Sequence, residues 1–446
     1  MKKLTFKQKF LYGFGNLGYA TVAQTLSNFI MFFGTSVLGV SGTLMGIAVS
    51  IGVLWDAVSD PILGHISDNT TSALGKRHPY ILIGTLGMCV INLIIWLVPP
   101  SSPEIIKFFW ILLSLLMVQT FCTFFSTPYL ALGFEMTTDS HEQTSLQSYK
   151  TIFNLLGMML PSVFMFIFMP NNNSLQGQFA VQGYVDIAYV SSITCLICGL
   201  VTFFGTLKSN VNCTFEKREK KENILCVAND FFAVLKKKNF RNIIIGYAIS
   251  LIASSIITAA GFHMFTYCFH FNSKQISIVM ATLLFGAIFS QFYWTKTSKK
   301  IGKKNTLIKG LCWGLIGIVL IWAIFSLRNL MSTQLLFALT LIFILISGFG
   351  TGVLYTMPIS IFGDYLNNDK EIKNKNKTAT YSGIMTLSTK FSNAISLFLI
   401  GIMLDVIKFS PSSPVQAQSV QLGLGYLVIV GVALSLLISI YFYKKL

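Results

Sequence analysis

WDAVSDPILGHISDNTTSALGKRHPY, residues Trp55 to Tyr80, begins inside an apolar segment and ends in a basic turn. Its first part carries two carboxylates, Asp56 and Asp60, which share one face of a helix because they are four residues apart. The residues before them, Leu44 to Leu54, are almost wholly apolar. The sequence therefore predicts an acidic pair at membrane depth. Carboxylates are costly there and indicate a functional site.

The second part of the stretch is a polar turn, predicted to join two membrane helices on the cytoplasmic side. We expect this turn to act as a cytoplasmic gate motif. Its members are Gly64, Asp68, Gly75, Lys76 and Arg77.

The composition is that of an integral membrane protein. Of the 446 residues, 53% are hydrophobic and 11% are charged, whereas a soluble chain carries about 25% charged residues. The apolar stretches are long and continuous, which favours helices over a barrel. We predict an all-α membrane protein of twelve transmembrane helices, in two pseudo-symmetric six-helix bundles. The predicted spans are 10–36, 42–66, 80–99, 105–133, 150–170, 185–207, 240–269, 275–297, 305–326, 332–358, 379–405 and 420–443.

The net charge of +17 is explained by topology and not by a nucleic-acid partner. With the N-terminus inside, 27 of the 33 Lys and Arg residues fall in cytoplasmic segments. Four lie outside, namely Lys107, Lys274, Arg328 and Lys408, and two lie at or within helices. This asymmetry predicts a multi-pass protein of the plasma membrane with both termini cytoplasmic.

Two homologous halves are indicated by a repeat. The stretch from Gly64 to Arg77 resembles a cytoplasmic motif of the major facilitator superfamily, and a weaker copy, SKKIGKK, runs from Ser298 to Lys304. The spacing from Lys76 to Lys303 is close to half of the chain. We therefore predict an N-terminal bundle over residues 1–208, a cytoplasmic linker over 209–239 and a C-terminal bundle over 240–446.

Two lysines are candidate charge partners for the acidic pair. Lys150 is predicted to open the fifth span, where it could be an ordinary snorkelling lysine or could pair with an acid. Lys390 lies about 16 Å along its predicted span, at ~1.5 Å per residue. An unpaired ammonium at that depth costs about 2.5–3.5 kcal/mol. Because Asp56 and Asp60 are the carboxylates at comparable depth, we expect Lys390 to pair with them.

A solute site would use polar or aromatic side chains within the spans. For each of them packing is the competing interpretation. The candidates are Asn16, Tyr19, Gln24, Tyr129, Asn154, His263, Tyr267, Tyr355 and Asn393.

Over its whole length the chain resembles the glycoside–pentoside–hexuronide:cation symporter family, the melibiose permease branch of the major facilitators. The resemblance rests on four stretches of the sequence. They are YGFG at Tyr12 to Gly15, WDAVSDPILGHISD followed by GKRHPYILIG, PYLAL at Pro128 to Leu132, and the region from Asp364 to Lys390.

The resemblance implies a major facilitator fold in which Asp56 and Asp60 bind the coupling cation, Ser126 and Thr127 add hydroxyl groups, and Lys390 stands close by. It places Lys150 where the family commonly has Arg. The chain departs from the melibiose permease at Ala20, Ser126 and Leu130, where that protein has two acidic residues and a tryptophan. These departures put galactoside specificity in doubt.

The predicted function is cation-coupled symport, with Na⁺ or H⁺, of a sugar or glycoside by alternating access. The alternative solute is an amphiphile such as a lysolipid, and a further alternative is a non-transporting membrane sensor with the same fold. We expect no cofactor and no bound metal besides the coupling ion. We expect no enzymatic activity, since no nucleophile–base pair, HExxH or phosphate-binding loop is present. The expected partners are a small solute and the bilayer, and the protein is expected to be a monomer.

Overall fold

A computed structural model describes residues 4–137, 139–169, 177–207, 236–368 and 378–446. All regular structure in these ranges is helical. The thirteen α-helices are α1 Phe6–Phe32, α2 Gly42–Asp68, α3 His78–Ile94, α4 Glu104–Glu135, α5 Ser140–Phe168, α6 Val181–Thr206, α7 Lys238–Tyr267, α8 Ser273–Ile301, α9 Lys303–Leu327, α10 Thr333–Thr351, α11 Met357–Asn368, α12 Thr378–Val406 and α13 Gln418–Lys444.

The helices are long enough to span a bilayer. Among the described residues, ten segments are sufficiently long and apolar, and one of them, Thr333–Leu366, contains α10 and most of α11. Together with α1 and the shorter α3 these make twelve membrane segments, as the sequence predicts. Pro61, the proline after the acidic pair, does not break its helix, because α2 continues through Pro61 to Asp68.

Several predicted boundaries are wrong. The third span ends at Ile94 rather than at residue 99, and the fifth and sixth begin earlier, at Ser140 and Val181. The predicted linker, residues 209–239, lies outside the described residues apart from 236–239, so it stays a prediction.

The chain divides into two compact units. Unit 1 comprises Met1–Glu216 with the short segments Asn272–Ser277 and Phe409–Pro414. In unit 1, α1 packs against α5 and α6, and α4 packs against α2 and α3. Glycines allow the α1–α6 approach, because a Cβ on Gly15 would lie 2.6 Å from the Thr202 hydroxyl, and one on Gly18 would lie 2.8 Å from the Cys195 Cα. Small residues on one face of a helix allow this kind of close approach.

Unit 2 comprises Lys217–Phe271, Ile278–Lys408 and Val415–Leu446. Here α7 packs against α12 and α13, and α9 packs against α10 and α13. The predicted tenth span, residues 332–358, is not one continuous α-helix. It is interrupted by a 3₁₀ turn, Gly352–Tyr355, between α10 and α11. The Gln291 amide donates to the Gly352 carbonyl at 2.6 Å, which satisfies a backbone acceptor at the interruption.

Candidate functional site

The acidic pair of α2 faces a matching pair of threonines on α4. The Thr123 hydroxyl donates to Asp56 Oδ1 at 3.1 Å, and the Thr127 hydroxyl donates to Asp60 Oδ1 at 3.3 Å. Because both pairs are four residues apart, each turn of α2 meets one turn of α4. The result is a ladder of oxygen atoms inside unit 1, which we call the aspartate–threonine ladder.

Further hydroxyls extend the ladder. Ser59 Oγ lies 2.9 Å from Thr123 Oγ1, and both side chains are buried. Sequence reasoning selected Ser126 and Thr127 and missed Thr123 and Ser59. The helical spacing of Thr123 from Thr127 was the signal that could have found Thr123.

The side chain of Tyr19 connects Ser126 with the two carboxylates. Ser126 hydrogen-bonds to the Tyr19 hydroxyl, and Tyr19 lies close enough to Asp56 and Asp60 to interact with their charges. Carboxylate and hydroxyl oxygens are the ligands that hard cations prefer, and a carboxylate can equally hold a proton. The donor set therefore fits Na⁺ or H⁺.

Lys150 does not open α5, which begins ten residues earlier at Ser140. Its ammonium lies 5.5 Å from the centre of the Tyr129 ring, a cation–π contact. Two of the predicted solute residues adjoin it. The Asn16 amide donates to the Lys150 carbonyl at 3.3 Å and to Asn154 Oδ1 at 3.1 Å.

Tyr129 is fixed in the interior of unit 1. It donates to the Tyr12 carbonyl at 2.8 Å, and Tyr12 donates to the Tyr129 carbonyl at 3.2 Å. The two rings stack with their centroids 4.5 Å apart, and Tyr129 is only 1% exposed. This environment favours packing over solute contact. Gln24, another of the predicted solute residues, donates a hydrogen bond to Asn28 Oδ1 at 2.7 Å within α1.

The remaining candidates lie in unit 2. His263 is fully buried with Nδ1 3.1 Å from the Ala259 carbonyl, and Tyr267 is buried as well. Tyr355 is 42% exposed at the interruption of the tenth span. Asn393 accepts a hydrogen bond from Ser255 at 3.1 Å. Lys390 belongs to α12 of unit 2 and the aspartates to α2 of unit 1, so their pairing stays a prediction.

The gate motif is partly helical, which corrects the predicted turn. Gly64 and Asp68 belong to the end of α2, and the connection is residues 69–77, with Gly75 at φ +86° and Lys76 exposed. Arg77 binds Asp68 Oδ1 at 2.5 Å and Glu135 Oε1 at 2.7 Å, and its side chain is 9% exposed. Burial lowers the pKa of Arg77, but the bonds to Glu135 and Asp68 more than offset this, so the pKa lies above its ordinary value.

Arg77 thereby ties the ends of α2 and α4 to the start of α3. Unit 2 has a simpler counterpart, in which Lys303, the first residue of α9, binds Asp364 of α11 at 2.6 Å. Glu135 is the last residue of α4 and accepts hydrogen bonds directly from Arg77.

The fold and the partly buried acidic pair define a membrane transporter of the major facilitator class. A solved bacterial homologue of the human lysosomal transporter Spinster, in an inward-facing and occupied conformation, has a similar fold, with a TM-score of 0.68 at 11% identity, covering 98% of this chain and 95% of that one. A family model described as MFS/sugar transport protein matches residues 11–444. The chain belongs to this family.

Its relatives are named symporters. The sodium-dependent lysophosphatidylcholine symporter 1-A of Danio rerio is 22% identical over 96% of this chain and 83% of its own length. The putative glycoside/cation symporter YagG of Escherichia coli is 22% identical over 94% of this chain and 87% of its own length. An uncharacterised symporter of Synechocystis is 35% identical over 164 residues, which are 36% of this chain and 30% of that protein.

Proposed function

We propose that this protein is a secondary active transporter that couples the entry of Na⁺ or H⁺ to the symport of a sugar or glycoside. The aspartate–threonine ladder carries the proposal. It brings two carboxylates of α2 together with hydroxyl groups of α4 inside unit 1. Membership of the MFS/sugar transport family supports the solute class.

The mechanism follows from charge. Asp56 and Asp60 repel one another when both are ionised, and partial burial penalises both charges. A bound cation relieves these costs, so cation binding changes the equilibrium between the two access states. Linkage then requires that solute and cation raise each other's affinity by the same factor.

The coupling step can be tested in reconstituted vesicles with an imposed Na⁺ or H⁺ gradient. We expect wild-type protein to accumulate solute under one of these gradients and Asp60→Asn to lose accumulation. The matched control is Asp186→Asn, since Asp186 is a carboxylate of unit 1 that bonds Gln182 on its own helix. Accumulation by Asp60→Asn at the level of that control would remove Asp60 from the coupling site.

A second solute class is an amphiphile such as a lysolipid. It is favoured by full-length similarity to symporters named for lysophosphatidylcholine. Competition against uptake of a radiolabelled glycoside separates the two: inhibition by disaccharides supports the first proposal, and inhibition by lysolipids below their micellar concentration supports the second. No flux of either class would favour the non-transporting sensor.

We further propose that the protein resides in the plasma membrane as a monomer with both termini cytoplasmic, and that it moves its solute without chemical change. The distribution of Lys and Arg supports this orientation. A cysteine-labelling assay at residues near either terminus, applied to intact and permeabilised cells, tests it.

A further inference from the structure

Three helix ends of unit 2 meet at the last turn of α13. The Lys304 ammonium, from the first turn of α9, donates to the Lys444 carbonyl at 3.1 Å. The Asn242 amide, from the first turns of α7, donates to the Lys445 carbonyl at 3.3 Å. These bonds hold the Lys304 ammonium and the Asn242 amide against the backbone of Lys444 and Lys445, and we call Lys304, Lys444 and Lys445 the lysine junction.

The three lysines of the junction outnumber the acidic side chains in the described part of unit 2. Across residues 236–368 and 378–446, the acidic residues are Asp364 and Asp405. Asp364 binds Lys303 at 2.6 Å. Asp405 is the next-to-last residue of α12 and is close in sequence to the start of α13. Lys444 is at the other end of α13, roughly 40 Å along the axis of α13 at ~1.5 Å per residue.

The junction lies at the depth of lipid headgroups. It stands at the end of α13, a membrane-spanning helix with a mean hydropathy of 2.4. One turn before that end Tyr441 is 55% exposed, and the Lys445 ammonium lies 4.0 Å from the centre of its ring and hydrogen-bonds to its hydroxyl. An exposed tyrosine at a helix end is typical of the membrane–water interface. The cations are therefore presented beside lipid.

We propose that the lysine junction binds the headgroup of an anionic glycerophospholipid from the adjacent leaflet, with the phosphate between Lys304, Lys444 and Lys445. Basic clusters between helix ends recognise such headgroups through charge. The orientation of the protein in the membrane requires only that its lysines lie on the cytoplasmic side. Here Lys304 of α9 and Asn242 of α7 hydrogen-bond to the backbone carbonyls of Lys444 and Lys445. These bonds fix the backbone positions of these two lysines.

Native mass spectrometry of the full chain, in detergent mixed with equimolar phosphatidylglycerol and phosphatidylcholine, tests the proposal. We expect wild-type protein to retain phosphatidylglycerol preferentially. The double variant Lys304→Gln/Lys444→Gln should bind it roughly thirtyfold more weakly, since two cations are lost. Lys304→Arg/Lys444→Arg keeps both charges and should retain the lipid.

The matched control is Lys299→Gln/Lys300→Gln. It removes the same charge from the last turn of α8, outside the lysine junction. This control should bind phosphatidylglycerol like the wild type. The proposal is overturned if wild-type protein shows no preference for phosphatidylglycerol, or if both glutamine double variants lose it equally, since the effect would then be one of general charge.

Discussion

Thr123 connects the carboxylate of Asp56 to the hydroxyl of Ser59, so at the scale of single residues it shapes the oxygen ladder as much as the aspartates do. The acidic pair could be predicted from sequence because a carboxylate in an apolar run is conspicuous. The four-residue spacing from Thr127 points to Thr123, but α4 also carries Thr120 and Ser126, and only the rotation of α4 about its axis decides which of these side chains faces α2.

Replacing Thr123 with valine keeps the shape of the side chain and removes the hydroxyl. We expect the cation concentration for half-maximal uptake to rise about tenfold, since a hydrogen bond to a charged group contributes about 1.5–3 kcal/mol. Thr120→Val is the matched control, because Thr120 bonds Trp55 and not an aspartate. Equal cation dependence in the two variants would contradict a role for Thr123 in the ladder.

His270 gives a pH dependence outside the membrane segments. Burial, followed by the nearby Arg328 charge, lowers its pKa below the ordinary 6.5. Because the unfolded chain binds the proton more readily, stability should fall as the pH drops through about 6.5 and level off below the folded pKa. The midpoint of thermal unfolding, Tm, measured between pH 8 and pH 5, should fall less in His270→Asn, a residue that tolerates the left-handed backbone at φ +55°. Parallel curves would contradict this.

At the scale of helices, the boundaries that could be predicted are those set by local chemistry. The end of α2 follows from its polar turn. The interruption of the tenth span was not predicted, because the segment Thr333–Leu366 is apolar enough on average to cross a membrane as one helix. It depends on a tertiary hydrogen bond from Gln291 and on Pro358, which follows Met357 and lacks a backbone donor.

Arg77 should be the main tie between the ends of α2, α3 and α4. We expect Arg77→Ala to destabilise the protein by about 1–3 kcal/mol, because it removes a buried guanidinium and leaves Asp68 and Glu135 without it. Lys76→Ala is the neighbouring control, and its exposed side chain should matter by less than about 0.5 kcal/mol. The measurement is the denaturant midpoint in mixed micelles. Similar midpoints for the two variants would show that the tie is structurally unimportant.

At the scale of the whole molecule, the two units repeat one design. Arg77 directly precedes α3 and pairs with Glu135, and Lys303 begins α9 and pairs with Asp364. The basic residues of the two pairs, Arg77 and Lys303, are 226 residues apart in the sequence (303 − 77), and the acidic residues, Glu135 and Asp364, are 229 apart (364 − 135). Both separations are close to the spacing of the repeated sequence motif. Within the part of the chain that the structure describes, the aspartate–threonine ladder lies in unit 1 and has no counterpart in unit 2. The fold is thus duplicated, whereas the predicted cation site is not.

The most direct test of the account compares two transport modes in the double variant Asp56→Asn/Asp60→Asn. Exchange of solute across vesicles at equilibrium needs only alternating access, whereas concentrative uptake needs the cation gradient to be coupled. The account predicts that exchange persists while gradient-driven accumulation is lost, and that Asp186→Asn keeps both. Accumulation by the double variant at the wild-type level would contradict the claim that these two carboxylates couple the cation to the solute.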